Sequence, residues 1–359
     1  MTKIIGPGTK AFNRRTLLKA TAIAGAGLAA PALWRGAQAQ EKVLYVNTWG
    51  GPWTTDEQEA FYKPFTAETG VEIRPVTPVS FAKLKASVVS KNYEFDVTCI
   101  NTVEASQAKA EGLVEPIDWS VVDRAKIPQN MVFSDMGFAY INLGTHLCYR
   151  KDKFPNGWPK SWADFWDVKK FPGNRAFIDR PWFGVEAALM ADGVPRDKLY
   201  PLDIPRAFKK LDELKPHIKV WWKEAAQSEQ LVRDGEVDLT VLWSGRAITL
   251  QRQGIPLEVV WEGSELVPVV AFVPKGTPRA KLAWQYAAFI CRPDRMAEFT
   301  KRELYGPMDP RAFDYMDKDL AQKMPTWPEH AAVSITPDTA WLTANMASLR
   351  ERWTQWLAG

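Results

Sequence analysis

The sequence has very little of the residues from which catalytic and metal sites are usually built. Its 359 residues include three cysteines and three histidines. Cys99, Cys148 and Cys291 follow no zinc or redox spacing and are predicted to be core thiols. The histidines belong to no metal-binding, nucleophile-elbow or dinucleotide-binding motif. These absences argue against an enzyme and against a bound cofactor or metal, although a hydrolase with two catalytic carboxylates stays open because acids are plentiful.

Excess positive charge is confined to the amino-terminal segment. The chain has 46 Lys and Arg against 42 Asp and Glu, but six of the basic residues and none of the acidic ones lie in residues 1–39. Without that segment the formal net charge changes from +4 to −2. No basic patch with interleaved aromatic residues remains, which argues against nucleic acid as a partner. No later apolar run approaches the ~20 residues of a membrane-spanning helix.

Residues 1–39 have the order of a signal peptide. Arg14 and Arg15 precede an apolar run from Ala20 to Leu33, and a small-residue cleavage pattern ends at Ala39. Paired arginines are typical of the twin-arginine export signal, so we expect export to the periplasm and cleavage after Ala39. An uncleaved membrane anchor is the alternative, but the apolar run is short for one.

The rest of the chain alternates strand and helix patterns. Short β-branched runs at Val43–Asn47, at Phe95–Ile100 and within Glu236–Arg246 are separated by amphipathic helices, which is typical of a parallel sheet. A chain of this length exceeds the usual size of one hydrophobic core. We therefore expect an α/β protein of two lobes, each with a mixed, mostly parallel sheet. The predicted segments are 40–145 with about 269–305 for lobe 1, and 146–268 with about 306–359 for lobe 2, the strand from Leu266 to Pro274 returning to lobe 1.

Four predicted strands end in aromatic, small, polar or basic residues. In open α/β sheets, ligands bind beyond the carboxyl ends of the strands. Packing of an aromatic side chain or solvation of an arginine would explain any one of these ends, but their recurrence predicts a shared site. The candidate ligand-binding residues are Trp49, Gly50, Gly51, Trp53, Asn101, Thr102, Arg180, Trp182, Phe183, Trp243 and Arg246.

Several short motifs occur in an order that resembles one family. They include Trp49 to Gly51, Phe65 to Gly70, Gly112 to Asp118, Ser161 to Trp166, Leu242 to Gly245 and Phe289 to Pro293. Together they are similar to bacterial extracellular solute-binding proteins of polyamine-type ABC importers, over nearly the whole chain after the signal. The resemblance implies a two-lobed periplasmic-binding-protein fold of type II, which closes on a small solute and delivers it to a membrane permease. We expect such a receptor to be a monomer.

The predicted solute site departs from the polyamine pattern. The resemblance implies acids that hold ammonium groups, but the matching positions here are Arg180, Phe183 and Val269. A guanidinium about 4 Å from an ammonium repels it by on the order of 4 kcal/mol at an effective dielectric near 20. Arg180, together with Arg246, therefore favours a solute with a carboxylate, which a guanidinium grips through two parallel hydrogen bonds.

We expect the solute to be a zwitterion or amino acid of the γ-aminobutyrate type. The amides of Gly50 and Gly51 suit its carboxylate, and the tryptophans suit its alkyl chain or ammonium group. Free polyamine is the runner-up, since a shifted register would bring in Asp179 or Glu186. Arg180 pairing with one of those acids is a further alternative, which leaves the site to the aromatic residues.

Overall fold

The computed structural model describes residues 42–359, so the predicted signal peptide lies outside the described residues. These residues form an α/β fold with mixed strand directions, as the alternating strand and helix patterns predict. The strands belong to one continuous sheet, however, and not to a separate sheet for each lobe. No helix in this range is long and apolar enough to cross a membrane.

Ten strands make up the sheet within residues 42–359. They are β1 (Val43–Asn47), β2 (Glu72–Val76), β3 (Val97–Asn101), β4 (Val132–Phe133), β5 (Gly137–Arg150), β6 (Arg175–Ile178), β7 (Ile218–Trp222), β8 (Leu239–Trp243), β9 (Leu257–Phe272) and β10 (Gly306–Pro307). Their order across the sheet is β2-β1-β3-β9-β5-β8-β6-β7, with β4 and β10 paired to β5.

The α-helices lie mostly between these strands. The first is continuous from Gly51 to Thr69 and contains a π-helical segment, Gln58–Tyr62. Ser161 caps α5 by accepting a hydrogen bond from the Asp164 N–H, as the sequence predicts. The helices are α1 (Gly51–Glu57), α2 (Lys63–Thr69), α3 (Phe81–Ser90), α4 (Thr102–Ala110), α5 (Trp162–Trp166), α6 (Pro181–Ala191), α7 (Ile204–Leu214), α8 (Ala225–Arg233), α9 (Ser244–Arg252), α10 (Ala280–Ile290), α11 (Pro293–Glu303), α12 (Lys318–Ala321), α13 (Pro328–Ala332) and α14 (Thr339–Ala358).

Two long strands hold the sheet together. β5 and β9 are antiparallel neighbours at its centre. On one side β9 pairs with the parallel strands β2-β1-β3, which we call the first half-sheet. On the other side β5 pairs with the parallel strands β8-β6-β7, the second half-sheet. The predicted strand from Leu266 is therefore only the later part of β9, which begins at Leu257.

Each half-sheet has a hydrophobic core of its own. One large cluster of buried residues includes Val46, Val97 and Trp284, and the other includes Phe177, Val241 and Trp353. Trp243, the last residue of β8, packs against both clusters. The three cysteines are buried and free, in agreement with their prediction as core thiols. The division of the chain into two lobes with the bounds given above stays a prediction.

Candidate functional site

The carboxyl ends of the two half-sheets point toward each other along β9. β3 ends at Asn101, which lies opposite Val269 of β9. β8 ends at Trp243, which lies opposite Thr145 of β5, and Thr145 in turn lies opposite Glu265 of β9. Glu265 and Val269 are four residue steps apart along an extended strand, which corresponds to about 13 Å. The ends of β3 and β8 therefore converge on one short stretch of the central strands.

Arg180 occupies the turn between β6 and α6. It is the N-cap residue of α6 and has an extended backbone, and Pro181 begins the helix with a fixed φ that suits this position. The Arg180 guanidinium lies over the Trp182 ring at 5.1 Å and over the Trp243 ring at 5.5 Å. The sequence thus predicted three residues that the fold does bring together.

Arg180 is paired with Glu265. Its Nη1 donates to Glu265 Oε2 at 3.1 Å and to Thr145 Oγ1 at 3.3 Å. Trp182 Nε1 donates to the other carboxylate oxygen, Oε1, at 2.7 Å. Glu265 is fully buried, whereas the Arg180 side chain is 16% exposed. The pair therefore has one inaccessible partner and one partner that solvent reaches.

The alternative partners of Arg180 make other contacts. Asp179 accepts a hydrogen bond from Trp353 Nε1 at 2.7 Å and pairs with Lys223 at 3.4 Å. Glu186 accepts a hydrogen bond from the Tyr200 hydroxyl at 2.6 Å. The alternative in which Arg180 pairs with Asp179 or Glu186 is therefore wrong. Arg180 is nevertheless paired with an acid, which is Glu265.

A bulge in the central strands sets the position of Glu265. Thr145 pairs with Glu265, but Leu147 pairs with Val260, so extra residues of β9 are accommodated between these two pairs. The backbone of the bulge is bonded to Val333 and Ile335, and Gly263 in it has a φ of 68°. Because side chains alternate along a strand, this irregular register is what directs the carboxylate of Glu265 toward Arg180.

Glu186 is a second buried acid close to Glu265. Burial raises the pKa of Glu186 well above its usual value, and the charge of Glu265 raises it further. Burial also raises the pKa of Glu265, but there the Arg180 guanidinium opposes the increase. Burial therefore favours the neutral form of Glu186, while the Arg180 guanidinium favours the charged form of Glu265.

Trp49, Gly50 and Gly51 form the turn between β1 and α1. Trp49 is 44% exposed, the only large aromatic at these strand ends with so accessible a ring. Gly50 and Gly51 have φ values of 95° and 57°, which favour glycine. The Gly50 N–H donates to Thr54 Oγ1 at 3.1 Å, so the prediction that both glycine amides await an anion is wrong for Gly50.

Two predicted aromatic residues belong to the packing of the protein. Phe183 is fully buried, with its ring 5.4 Å from Trp162 and 5.9 Å from Phe177, so its predicted place in the ligand site is wrong. It lies on the inward face of α6, one residue beyond Trp182. Trp53 is partly buried against Phe299 and Tyr305, at 5.1 and 5.7 Å between ring centroids, and a role for it in binding stays a prediction.

Two of the three remaining predicted residues, Asn101 and Arg246, have structural partners. Asn101 caps α4 through the Glu104 N–H and also donates to the Glu104 side chain. Arg246 pairs with Glu229 at 3.1 Å. The Thr102 hydroxyl is buried and has no hydrogen-bond partner within residues 42–359, so it keeps its capacity to bond a solute or water.

Comparison with known proteins identifies the family. The sequence pattern described as bacterial extracellular solute-binding protein matches residues 60–332. A γ-aminobutyric acid-binding protein of Pseudomonas aeruginosa is 33% identical over 331 residues, which cover 90% of this chain and 93% of that protein. A spermidine/putrescine-binding periplasmic protein of Salmonella typhimurium is 24% identical over 79% of this chain and 83% of its own length.

A solved structure agrees with these sequence relatives. A receptor named for γ-aminobutyrate (GABA) has 33% sequence identity and a TM-score of 0.81, over 88% of this chain and 97% of that one. The family pattern and the relative from Pseudomonas each span most of the chain, so the resemblance read from the motifs is confirmed at the level of the family. The chain belongs to the bacterial extracellular solute-binding proteins.

Proposed function

We propose that this protein is the periplasmic receptor of an ABC importer and that it binds a small zwitterion of the γ-aminobutyrate type. The observation that carries the proposal is the Arg180–Glu265 pair at the facing strand ends, flanked by two indole rings. The pair sets a cationic and an anionic group side by side beyond the ends of strands, the part of an open α/β sheet where ligands bind.

The charges in the site balance. Arg180 contributes one positive charge and Glu265 one negative charge, while burial favours the neutral form of Glu186. A solute with one carboxylate and one ammonium group adds no net charge to this arrangement. A polyamine brings two or more positive charges with no free carboxylate to receive them, and each uncompensated charge costs several kcal/mol in a site of low dielectric.

The guanidinium of Arg180 has N–H donors that form no hydrogen bond with residues 42–359. Both of its hydrogen bonds to residues in the 42–359 range use Nη1. The edge formed by Nε and Nη2 is thus available for a bidentate bond to a solute carboxylate, the geometry that an arginine fork matches best. The exposed Trp49 ring, on the turn after β1, supplies a face on which an ammonium group stacks.

The relatives support this choice of solute. The Pseudomonas protein and the solved receptor that are named for γ-aminobutyrate each share a third of their residues with this chain. Polyamine is the second candidate, because Glu186 and Glu265 are two neighbouring buried acids and Glu265 becomes a free carboxylate if Arg180 moves away from it. We favour the zwitterion because Arg180 and Glu265 are paired.

Calorimetric titration of the protein lacking residues 1–39 tests the solute. We expect γ-aminobutyrate to bind more tightly than putrescine, spermidine or betaine, and Arg180→Met to lower γ-aminobutyrate affinity by about 100-fold, the usual loss when a buried charged partner is removed. Arg206→Met is the matched control, since Arg206 forms an ion pair with Asp192 on the surface. Tight putrescine binding with no response to γ-aminobutyrate refutes the zwitterion.

The cellular context completes the proposal. We propose export by the twin-arginine pathway and cleavage after Ala39, because of the signal sequence. We also propose closure of two lobes and delivery of the solute by a monomer to a membrane permease, as the family implies. Sequencing of the mature amino terminus checks the cleavage. Receptor and enzyme are separated by tryptophan fluorescence, which we expect to change on solute binding while the solute is recovered unaltered.

A further inference from the structure

A chain of buried hydroxyl groups connects Gly50 to the carboxyl group of Glu57. The Gly50 N–H donates to Thr54 Oγ1 at 3.1 Å, and Thr54 Oγ1 lies 3.0 Å from Thr48 Oγ1. The Thr48 hydroxyl donates to Glu57 Oε2 at 2.5 Å. Since Thr48 gives its proton to Glu57, the proton between the two threonines belongs to Thr54. Every donor in this series of hydrogen bonds therefore points from the turn toward Glu57.

The series of hydrogen bonds is shielded from water and ends at one acceptor. Thr48 is 1% exposed, Thr54 9% and Glu57 2%. The Tyr62 hydroxyl also donates to Glu57 Oε2, at 2.8 Å. A side chain without an acceptor at position 57 leaves one of the two threonine protons buried without an acceptor, and such a group costs more than the bond it lost.

The turn at Gly50 depends on this chain because it has no cap of its own. Gly50 is the N-cap residue of α1 with φ 95° and ψ 176°, a backbone region that is essentially restricted to glycine, so no side chain at this position bonds the helix. Trp49 beside it projects into solvent. The bond to Thr54, itself oriented by Thr48 and Glu57, is what fixes the turn from inside.

We infer that Glu57 is a positioning residue, which fixes the Thr48–Gly51 turn through Thr48 and Thr54 and so sets where the Trp49 ring meets the solute. The inference rests on the proposed function, because that function gives Trp49 its contact with the solute. Glu57 itself touches no solute.

The charge on Glu57 changes near neutral pH. Burial raises the pKa of Glu57 to about 7, against the hydrogen bonds from Thr48 and Tyr62, which lower it. An ionised carboxylate accepts hydrogen bonds more strongly than a carboxylic acid does. Ionisation therefore strengthens the individual hydrogen bonds to Glu57, but the cost of burying the charge is larger, which is why the pKa is raised rather than lowered. The other titratable groups that interact with Glu57 are Tyr62, Cys99, Tyr140, Tyr286 and Glu303.

Amide hydrogen exchange tests the inference without any solute. We compare the protection of the segment that contains Gly50 in the wild type, Glu57→Gln and Glu57→Leu. Glu59→Gln is the control, because Glu59 lies two residues further along the helix and pairs with Lys63 on the surface. Loss of the acceptor in Glu57→Leu is expected to reduce protection by about tenfold, the value of a hydrogen bond to a charged group. Glu57→Gln keeps an acceptor, so we expect it to retain part of the protection that Glu57→Leu loses.

The outcomes separate the inference from the proposed function. Wild-type protection in Glu57→Leu, or a loss in Glu57→Gln as large as the loss in Glu57→Leu, overturns the inference. Lost protection with unchanged γ-aminobutyrate affinity leaves Glu57 as the residue that holds the turn and removes Trp49 from the solute site. If Glu57→Leu does not fold, Thr54→Val breaks the chain next to Gly50 and must show the same loss of protection.

Discussion

The two half-sheets bring different chemistry to the strand ends that face each other. At the second half-sheet, Arg180 pairs with Glu265 of the central strand β9, and the pair is held by direct contacts with Trp182 and Trp243. At the first half-sheet, the Thr48–Gly51 turn presents an exposed ring and is supported by neutral hydroxyls. The second half-sheet thus presents a charged pair, while the first presents an exposed aromatic ring on a hydrogen-bonded turn.

The largest effect is expected from breaking the ion pair of the second half-sheet. Arg180→Met leaves Glu265 buried without its partner, which costs about 3–5 kcal/mol in the free energy of unfolding. Arg180→Met combined with Glu265→Met restores most of this stability because both charges leave together, but not solute binding. Urea unfolding of the single and double variants measures the first effect and calorimetry the second. Equal stability of wild type and Arg180→Met contradicts a buried pair.

A smaller effect is expected from the acid behind the turn. The folded protein holds a proton on Glu57 up to a pH of about 7, against 4.5 for an ordinary glutamate. The stabilisation from this group is complete below the lower value and is lost as pH rises toward the upper one, in total about 3 kcal/mol. Glu57→Gln should therefore lose less stability than the wild type between these two values. Denaturant unfolding at several pH values measures the difference, and parallel curves contradict it.

The smallest effect is expected from Trp49. Because its ring is 44% exposed, Trp49→Ala should change the free energy of unfolding by less than about 0.5 kcal/mol. Loss of its contact with an ammonium group should weaken γ-aminobutyrate binding by about tenfold. Trp243→Ala is the contrasting variant, since Trp243 packs against both cores and its loss should lower stability and affinity together. A stability loss in Trp49→Ala as large as in Trp243→Ala would remove the distinction between the two half-sheets.

The sequence predicts the strand ends well because strong local signals mark them. β-branched runs, glycines and capping residues are neighbours in sequence, so the strands at Val43 and Leu239 and the cap at Ser161 are found without knowledge of the fold. The convergence of Arg180, Trp182 and Trp243 follows from the same rule, since strand ends at one sheet edge lie together.

Glu265 was missed because its position depends on the register of two strands. The apolar pattern places the start of a strand at Leu266, one residue after Glu265, and local matching of the family's acidic position gives Val269. The observed β9 starts earlier and contains a bulge, which no local pattern announces. The signal that was present is an acid directly before an otherwise apolar strand, a costly residue to bury unless it has a partner.

Phe183 and Gly50 illustrate a second limit. Phe183 is next to Trp182 in sequence, but successive residues of a helix face different directions, so only one of the two rings turns toward Arg180. The sequence places the Gly50 amide at the start of a helix, where an N–H is usually free. In the structure it is bonded to Thr54, one helical turn away. Whether a neighbouring side chain accepts the hydrogen bond of a given N–H depends on how the chain packs, and residue types alone do not show it.

The continuity of β5 and β9 makes their middle an axis. Thr145 and Glu265 lie opposite each other on the two strands that both half-sheets share, whereas Trp49 lies beyond the end of β1, two strands away from β9. If the two half-sheets rotate about these shared strands, groups on the axis move very little and groups far from the axis move the most. A probe at Trp49 would accordingly report the rotation of the two halves. A probe at the Glu265 carboxylate would report only whether a solute is bound at the Arg180–Glu265 pair.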